Sequence, residues 1–302
     1  MREQEDQAQG PSGGSTRSRR AAGRRANDLD GASWTRHSIS VWSDIHKSAE
    51  ELSLKHPAMF PARLAGRLIQ CFTTREEKTV LDPFAGAGST LLAAQALGKT
   101  GIGFDVSEEY VDKARERPSP AMDGSGPADG GEGRGERRIH RADARQLLRY
   151  VAPESVDLVV TSPPYWNILL QRRTADHKEV RHYGDSERDL GKIDDYDEFL
   201  EALAEVFDKV YTALKPGKYC CAVVMDIRKR DRFYPLHSDL ARRMERVGFI
   251  FDDIIIWDRG QEYNNLRPLG HPAVFRINKV HEYILIFRKP KDGVRHSPRP
   301  QG

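Results

Sequence analysis

The sequence predicts a single α/β domain whose largely parallel sheet is covered by helices on both faces. Apolar runs typical of strands alternate with helix-period segments along most of the chain, as in successive strand–helix–strand units. A polar or acidic residue also follows several predicted strands, at the edge where open parallel sheets bind their ligands. These residues are Asp82, Asp105, Asp143 and Ser162.

The periodicity of apolar residues predicts seven strands and five helices. We predict strands near residues 79–82, 100–105, 138–142, 156–161, 219–225, 250–257 and 282–287. We predict helices near residues 62–72, 90–97, 107–115, 196–214 and 236–247. Because strands and helices alternate, most strands are expected to run parallel, with their carboxyl ends at one edge of the sheet.

The remaining segments are poor in residues that form a core. We expect a disordered basic tail at residues 1–40 and a folded domain at 41–289, with a disordered insertion at 118–137 and a second tail at 290–302. The arginines of the first tail either follow a phosphate backbone or stay solvated.

Composition argues against several classes of protein. The three cysteines, Cys71, Cys220 and Cys221, show neither metal-ligand spacing nor a disulfide framework, which is typical of a reducing cytoplasm. There is no apparent signal peptide, and no apolar run reaches the roughly 18 residues that span a membrane. The net charge of +3 is too small to indicate nucleic-acid binding by itself, so a basic surface has to be local.

A glycine-rich turn follows the first predicted strand. Residues 80–90 read Val-Leu-Asp-Pro-Phe-Ala-Gly-Ala-Gly-Ser-Thr, so strand, turn and helix start are contiguous. Glycines let the backbone approach a ligand closely, and the free N–H groups of a helix start favour polar or anionic groups. The turn matches neither a P-loop nor the dinucleotide pattern Gly-x-Gly-x-x-Gly. Asp105 lies about 20 residues further on, a spacing that favours ribose binding over a role as a helix cap.

A second motif, Thr161-Ser-Pro-Pro-Tyr-Trp, ends the fourth predicted strand. The prolines lack an N–H and have a fixed φ, so the strand stops there and its carbonyls face a loop. The Ser162 hydroxyl and the Pro163 carbonyl then form a stiff pair of acceptors beside the ring of Tyr165. Such a frame suits a planar ring with an exocyclic NH2 group, and the alternative is an ordinary turn.

Together, the two motifs resemble those of the amino-methylating DNA methyltransferases that use S-adenosylmethionine. Three further segments carry the resemblance, at residues 56–61, 142–144 and 281–287. It implies a Rossmann-like methyltransferase domain with a seven-stranded, mostly parallel sheet whose last strand is antiparallel. Many members place the Ser-Pro-Pro-Tyr half first, so this chain is similar to a circular permutant of them.

The resemblance implies S-adenosylmethionine as cofactor, double-stranded DNA as substrate and no metal. The cofactor-binding residues that it implies are His56, Phe60, Asp82, Phe84, Gly86, Gly88, Asp105 and Asp143. The implied catalytic residues are Ser162, Pro163, Pro164 and Tyr165. As alternatives, Asp82 and Asp143 cap helices, Phe84 packs in the core, and His56 and Phe60 seat the first helix.

The implied reaction is direct methyl transfer to the N4 amine of a cytosine flipped out of the duplex. Hydrogen bonds from this amine to Ser162 and Pro163 would favour a pyramidal nitrogen that faces the methyl donor. Methylation at C5 would need a nucleophilic cysteine, typically after a proline, and no cysteine here follows a proline. Serine in place of aspartate is the family's usual mark of N4-cytosine specificity. The alternatives are an N6-adenine enzyme, an RNA methyltransferase and an inactive DNA-binding subunit.

Two basic segments, residues 167–195 and 257–280, are predicted to recognise DNA, since such side chains read groove edges. A solvated loop is the alternative for either segment, and Trp166 either contacts DNA or packs under its loop. The DNA-binding candidates are Trp166, Arg172, Arg173, Arg259, Arg267 and Arg276. The resemblance also implies a restriction endonuclease acting on the same site as a partner, in the cytoplasm of a bacterium, an archaeon or a phage-infected cell.

Overall fold

An eight-stranded mixed sheet forms the centre of the part of the chain that the structure, a computed structural model, describes. The described residues are 25–54, 59–118, 135–167, 189–262, 268–269 and 271–295. The strands of this sheet are β1 (Val41–Trp42), β2 (Thr79–Asp82), β3 (Thr100–Asp105), β4 (Arg137–Arg141), β5 (Val156–Thr161), β6 (Leu214–Val224), β9 (Ile250–Asp258) and β10 (His281–Arg288). A separate two-stranded ribbon consists of β7 (Ile227–Lys229) and β8 (Arg232–Tyr234).

The order of strands across the sheet is β1-β9-β10-β6-β5-β2-β3-β4. Strand β10 runs antiparallel to both of its neighbours, and every other pair in this sheet is parallel. The chain moves outward from β2 to β3 and β4 on one side, and from β5 to β6 on the other. The order therefore reverses between β2 and β5, and this reversal leaves a crevice at their carboxyl ends.

Helices cover the sheet on both faces because successive strand residues point in opposite directions. The helices are α1 (Gly31–His37), α2 (Ala49–Ser53), α3 (Ala62–Phe72), α4 (Ser89–Ala96), α5 (Glu108–Glu116), α6 (Tyr196–Ala213) and α7 (Leu236–Val247). On one face, Leu81 and Val159 pack with buried residues of the long helix α6. On the other face, Val80, Leu158 and Cys221 pack with α3 and α4.

These features confirm the predicted fold class, with two additions to the sheet topology. The seven predicted strands are present, but β1 adds an eighth by pairing Val41 with Ile256 and Trp42 with Trp257. The β7–β8 ribbon was not predicted either. Both additions consist of strands of two or three residues, which are too short to show a period in the sequence.

The predicted tails are too long at both ends. Residues 31–37 form α1, whose first turn is capped by Asp30 through a hydrogen bond from the Ser33 N–H (2.7 Å). At the other end, Arg295 donates to Asp208 (2.6 Å), so the ordered chain continues past residue 290. The predicted insertion also ends too late, because Arg137 opens β4. Most of that insertion, residues 119–134, lies outside the described residues.

Candidate active site

A cavity lies at the carboxyl ends of β2, β3 and β5. Pro83 to Ala87 of the glycine turn form one wall, and Ser162, Pro163 and Pro164 of the second motif form another. The two sequence motifs thus meet in one cavity at the point where the strand order reverses.

Asp82 holds the two walls together from below the cavity. Its side chain is only 1% exposed, and burial raises the pKa of its carboxyl to about 6. Its Oδ1 accepts hydrogen bonds from the Phe84 N–H (3.0 Å) and the Thr161 hydroxyl (2.6 Å), and its Oδ2 accepts one from the Thr90 hydroxyl (2.7 Å). Because the carboxylate binds these internal groups and does not line the cavity, Asp82 positions the turn against β5.

The two glycines of the turn have different roles. Both have a positive φ, 50° at Gly86 and 81° at Gly88. Gly86 lines the cavity, and its N–H donates to Asp105 Oδ2 (3.0 Å). Gly88 does not line the cavity, and a Cβ there would lie 2.8 Å from Ala114 Cβ. The packing of α4 on α5 therefore accounts for glycine at position 88, and a contact between Gly88 and a ligand stays a prediction.

Asp105 lies at the cavity wall and is also a structural acceptor. Its Oδ1 accepts a hydrogen bond from the Ser107 N–H (2.8 Å) at the start of α5, and its Oδ2 accepts the one from Gly86. Burial raises the pKa of its carboxyl to about 6, and the nearby carboxylates of Asp189 and Asp82 act in the same direction. Each carboxylate oxygen can accept more than one hydrogen bond, so both retain capacity for a ligand.

Two more carboxylates face the same cavity. Asp143 accepts from the Arg145 N–H (2.9 Å) at the start of a 3-10 helix, Ala144–Arg149, and forms an ion pair with the same arginine (2.6 Å). Asp189, which the sequence analysis did not identify, accepts from the Gly191 N–H (2.8 Å), and burial raises the pKa of its carboxyl. The cavity wall is therefore acidic, which suits a ligand that carries positive charge.

Apolar side chains complete the wall. Phe84 lines the cavity and meets Phe207 edge to face, with ring centroids 6.4 Å apart. Phe60 also lines it and is only 6% exposed, packed against the core beside α3, so it both seats that helix and faces the ligand space. Met59 adds a thioether beside it. His56 lies outside the described residues.

The Ser-Pro-Pro-Tyr loop is held by a buried glutamate of β10. The Tyr165 hydroxyl donates to Glu282 Oε2 (2.8 Å) and lies 3.0 Å from Ser162 Oγ. Glu282 is 5% exposed and Tyr165 is 7% exposed. Tyr165 does not line the cavity, so the structure does not present its ring as the open stacking face that the sequence predicted. The physical reason is the buried Glu282 carboxylate, which draws the phenol inward.

Trp166 packs beneath the loop, and its contact with DNA stays a prediction. The side chain is 4% exposed, and its indole N–H donates to the Ile193 carbonyl (2.8 Å). Its ring meets Tyr196 and Tyr234 edge to face, at centroid distances of 5.1 and 5.0 Å. Aromatic packing of this kind anchors the end of the Ser-Pro-Pro-Tyr loop to α6 and the ribbon.

The described basic candidates are engaged within the protein. Arg259 forms ion pairs with Glu262 (2.6 Å) and with Glu282, behind the Ser-Pro-Pro-Tyr loop. Arg276 is half-buried and donates to the Arg230 carbonyl of the ribbon (3.0 Å). Their predicted DNA contacts thus compete with internal ones. The candidates Arg172, Arg173 and Arg267 lie outside the described residues.

The sequence of the chain matches a family model described as DNA methylase (N6_N4_Mtase) over residues 9–116 and 156–300. The chain belongs to this family. The match covers both walls of the cavity and confirms the resemblance drawn from the two motifs. Within the described residues of this family member, no group of side chains is arranged to hold a metal ion, and no helix is long and apolar enough to cross a membrane.

Two curated relatives and one solved structure illustrate the similarity. The type II methyltransferase M.MjaI of Methanocaldococcus jannaschii is 30% identical over 186 residues, 53% of this chain and 60% of that protein. M2.DpnII of Streptococcus pneumoniae is 40% identical over 78 residues, 26% of this chain and 29% of that protein. A putative DNA modification methylase from Thermus thermophilus, solved with S-adenosyl-L-methionine, is 33% identical over 53% of this chain and 57% of that chain, with a TM-score of 0.36. The chain thus spans less than two thirds of the length of these relatives.

Proposed function

We propose that this DNA methylase transfers a methyl group from S-adenosylmethionine to the N4 amine of a cytosine flipped out of double-stranded DNA. The observation that carries the proposal is that the glycine turn, Asp105 and the Ser-Pro-Pro segment line a single cavity. Family membership supports the reaction class, and the serine of the second motif supports cytosine over adenine. A restriction endonuclease that acts on the same site is part of this proposal as a partner.

The residues of the cavity fit the cofactor. Asp105 offers carboxylate oxygens for ribose hydroxyls, and the backbone at Gly86 gives close access beside it. Phe60 and Phe84 supply apolar surface, while the resemblance sets Asp143 beside the adenine. The acidic wall also favours the cationic sulfonium and ammonium groups. When bound, the cofactor supplies a methyl group on a positively charged sulfur.

The hydrogen bonds behind the loop make Ser162 an acceptor. A phenol has one proton, and Tyr165 donates it to Glu282. The contact of 3.0 Å between Ser162 Oγ and the Tyr165 oxygen therefore has serine as the donor. Both lone pairs of Ser162 Oγ then stay available for an incoming NH2 group. The Pro163 carbonyl, fixed by the proline ring, provides the second acceptor.

This arrangement can raise the reactivity of an aromatic amine without a covalent intermediate. Two acceptors on the NH2 protons favour a pyramidal nitrogen and stabilise the positive charge that develops on it during transfer. The remaining contribution is positioning of the amine in line with the methyl group. The buried cysteines Cys220 and Cys221 lie in β6, where burial raises the pKa of their thiols, so neither acts as a nucleophile.

The proposal is tested by incubating the full chain with tritiated S-adenosylmethionine and either genomic DNA or total RNA. Label is expected in DNA, and Ser162→Ala should reduce its rate of incorporation strongly while cofactor affinity is kept. Label in RNA alone would reassign the substrate. Binding of the cofactor without transfer to either polymer would instead indicate a DNA-binding subunit without activity.

A further inference from the structure

The β7–β8 ribbon is a basic element at the same edge of the sheet as Ser162. It leaves the carboxyl end of β6, next to β5 in the sheet, so it rises beside the catalytic loop. Within Ile227–Tyr234 there are four basic residues and one acidic residue. The basic residues are Arg228, Lys229, Arg230 and Arg232.

The inner face of the ribbon is fixed to the catalytic loop. The Lys229 ammonium lies 3.9 Å from the centroid of the Trp166 ring and donates to Asn167 Oδ1 (3.0 Å). Ile227 is fully buried, and Tyr234 packs on Trp166. Because Trp166 directly follows the Ser-Pro-Pro-Tyr residues, the position of the ribbon is tied to that of the catalytic loop.

The outer face combines positive charge with an exposed ring. Arg228 is paired with Phe233 across the ribbon, and its guanidinium lies 5.7 Å from the centroid of that ring. The Lys279 ammonium lies 4.6 Å from the same centroid. It donates a hydrogen bond to the Asp226 carbonyl (2.9 Å), which holds the ammonium over the ring. Phe233 is nevertheless 43% exposed. This face thus presents cations on a rigid support.

The tip of the ribbon is held in a conformation that a non-glycine residue adopts at a cost. Arg230 has a φ of 57°, in the left-handed region. Arg276 donates to the Arg230 carbonyl (3.0 Å), which stabilises the turn from the neighbouring segment. The Arg230 side chain is exposed at this fixed position.

The arginines of the ribbon retain their charge for an external partner. Within the described part of the chain, Arg228, Arg230 and Arg232 form no ion pair with a carboxylate, although all three are exposed. By contrast, Arg138 and Arg141 of β4 each pair with a glutamate, Glu136 and Glu108. Arg228 donates to the Asp231 carbonyl (3.2 Å) and Arg232 lies over the Tyr234 ring (5.0 Å), contacts that leave both positive charges unneutralised. Guanidinium groups without a carboxylate partner among the described residues suit a polyanion whose charges repeat along a surface.

We infer that the ribbon binds the DNA backbone beside the flipped base, with Arg228, Arg230 and Arg232 contacting phosphates. The inference rests on the proposed function, because the DNA is the substrate of the neighbouring site. Contacts to phosphates are independent of sequence and fix the register of the protein on the duplex. Through Lys229 and Trp166, such contacts would also set the catalytic loop against the target strand.

The test is the salt dependence of DNA binding by the full chain carrying Arg228→Ala, Arg230→Ala and Arg232→Ala. The probe is a short fluorescent duplex of mixed sequence, with affinity measured by anisotropy from about 50 to 200 mM NaCl. Each lost phosphate contact lowers the slope of log K against log salt by about 0.9, so the slope should fall by about 2 to 3. The triple Arg→Lys variant should retain most of the slope.

The matched control removes three charges at the opposite edge of the sheet, with Arg75→Ala, Lys78→Ala and Lys291→Ala, all of which change exposed residues. This control should keep the wild-type slope. An unchanged slope in the ribbon variant, or an equal fall in the control, would overturn the inference. Methyl transfer to DNA by the wild-type chain is measured in parallel. If the wild-type chain methylates DNA and the ribbon variant binds DNA like wild type, only the inference about the ribbon fails. If the wild-type chain does not methylate DNA, the proposed function fails.

Discussion

At the scale of single residues, the Tyr165 hydroxyl orients the hydroxyl of Ser162. The phenol donates a hydrogen bond to Glu282 (2.8 Å) and accepts one from Ser162 (3.0 Å). The buried Glu282 carboxylate can only accept, so it sets the direction of both hydrogen bonds. An aspartate in place of Ser162 would accept through both oxygens without such orientation. Ser162 acts as an acceptor only when its own proton is directed toward Tyr165. We therefore regard Tyr165 and Glu282 as positioning residues.

Tyr165→Phe tests this dependence because it keeps the ring and removes the hydroxyl. The Ser162 hydroxyl loses its acceptor and can turn toward the substrate, so we expect single-turnover methyl transfer to fall about fivefold, as for a hydrogen bond worth about 1 kcal/mol. The dissociation constant of S-adenosylmethionine should not change. Tyr150→Phe, at a tyrosine that is 50% exposed, is the control. Equal transfer rates in the two variants would rule out the orienting role.

The pKa of Asp105 predicts how cofactor affinity depends on pH. Burial raises the pKa of this carboxyl to about 6, so the group is neutral in the free protein below that pH and ionised above it. A carboxylate accepts hydrogen bonds from ribose hydroxyls more strongly than the neutral acid does. The affinity for S-adenosylmethionine should therefore fall as the pH drops through about 6. In Asp105→Asn, calorimetric titration should show weaker binding with this pH dependence reduced, and a wild-type profile would remove Asp105 from the site.

Residue spacing was sufficient to predict some members of the site and insufficient for others. Asp105 and Gly86 could be predicted because the strand–turn–helix pattern places them at a strand end. Glu282 could not, because its hydrogen bond to Tyr165 joins residues 117 positions apart, and the sequence does not show which strands become neighbours. For the same reason, the burial of Trp166 against Tyr234 became apparent only from the folded chain.

At the scale of secondary structure elements, the glycine turn is determined by helix packing as much as by ligand access. Gly88 precedes α4 with a φ of 81°, and its Cα faces α5 so closely that a Cβ would lie 2.8 Å from Ala114 Cβ. Strands β2, β3 and β5 were predicted with their observed bounds because they are apolar and follow clear turn signals. The strands β1, β7 and β8 are defined by pairing with a neighbouring strand and are too short to show a period of their own. Local periodicity therefore could not predict them.

Gly88→Ala is expected to destabilise the protein, since it combines a left-handed backbone with a steric clash. We expect the free energy of unfolding to fall by about 1 to 3 kcal/mol, measured by urea denaturation. Gly31→Ala is the control, because Gly31 opens α1 and no atom lies within 4 Å of its added Cβ. That change should be neutral or slightly stabilising. Equal stability of the two variants would contradict the packing role of Gly88.

At the scale of the whole molecule, the site follows from the order of the strands. The order reverses between β2 and β5, and the two motifs occupy the carboxyl ends of these strands. Asp82 joins the strands there through Thr161 (2.6 Å), so the fold and the cavity share one hydrogen-bond network. The sequence predicted this layout because alternating strands and helices leave few topologies. From the other half of the sheet, the β10 residue Glu282 contacts Tyr165, and Lys229 of the β7–β8 ribbon contacts Trp166.

The central claim is that the enzyme methylates the N4 amine of cytosine in DNA, and nucleoside mass spectrometry tests it most directly. Unmethylated DNA is incubated with the full chain and S-adenosylmethionine, digested to nucleosides and compared with the same reaction of Ser162→Ala. We expect N4-methylcytosine in the wild-type reaction and a strong reduction in the variant. N6-methyladenine as the product, or the absence of any methylated nucleoside, would contradict the claim.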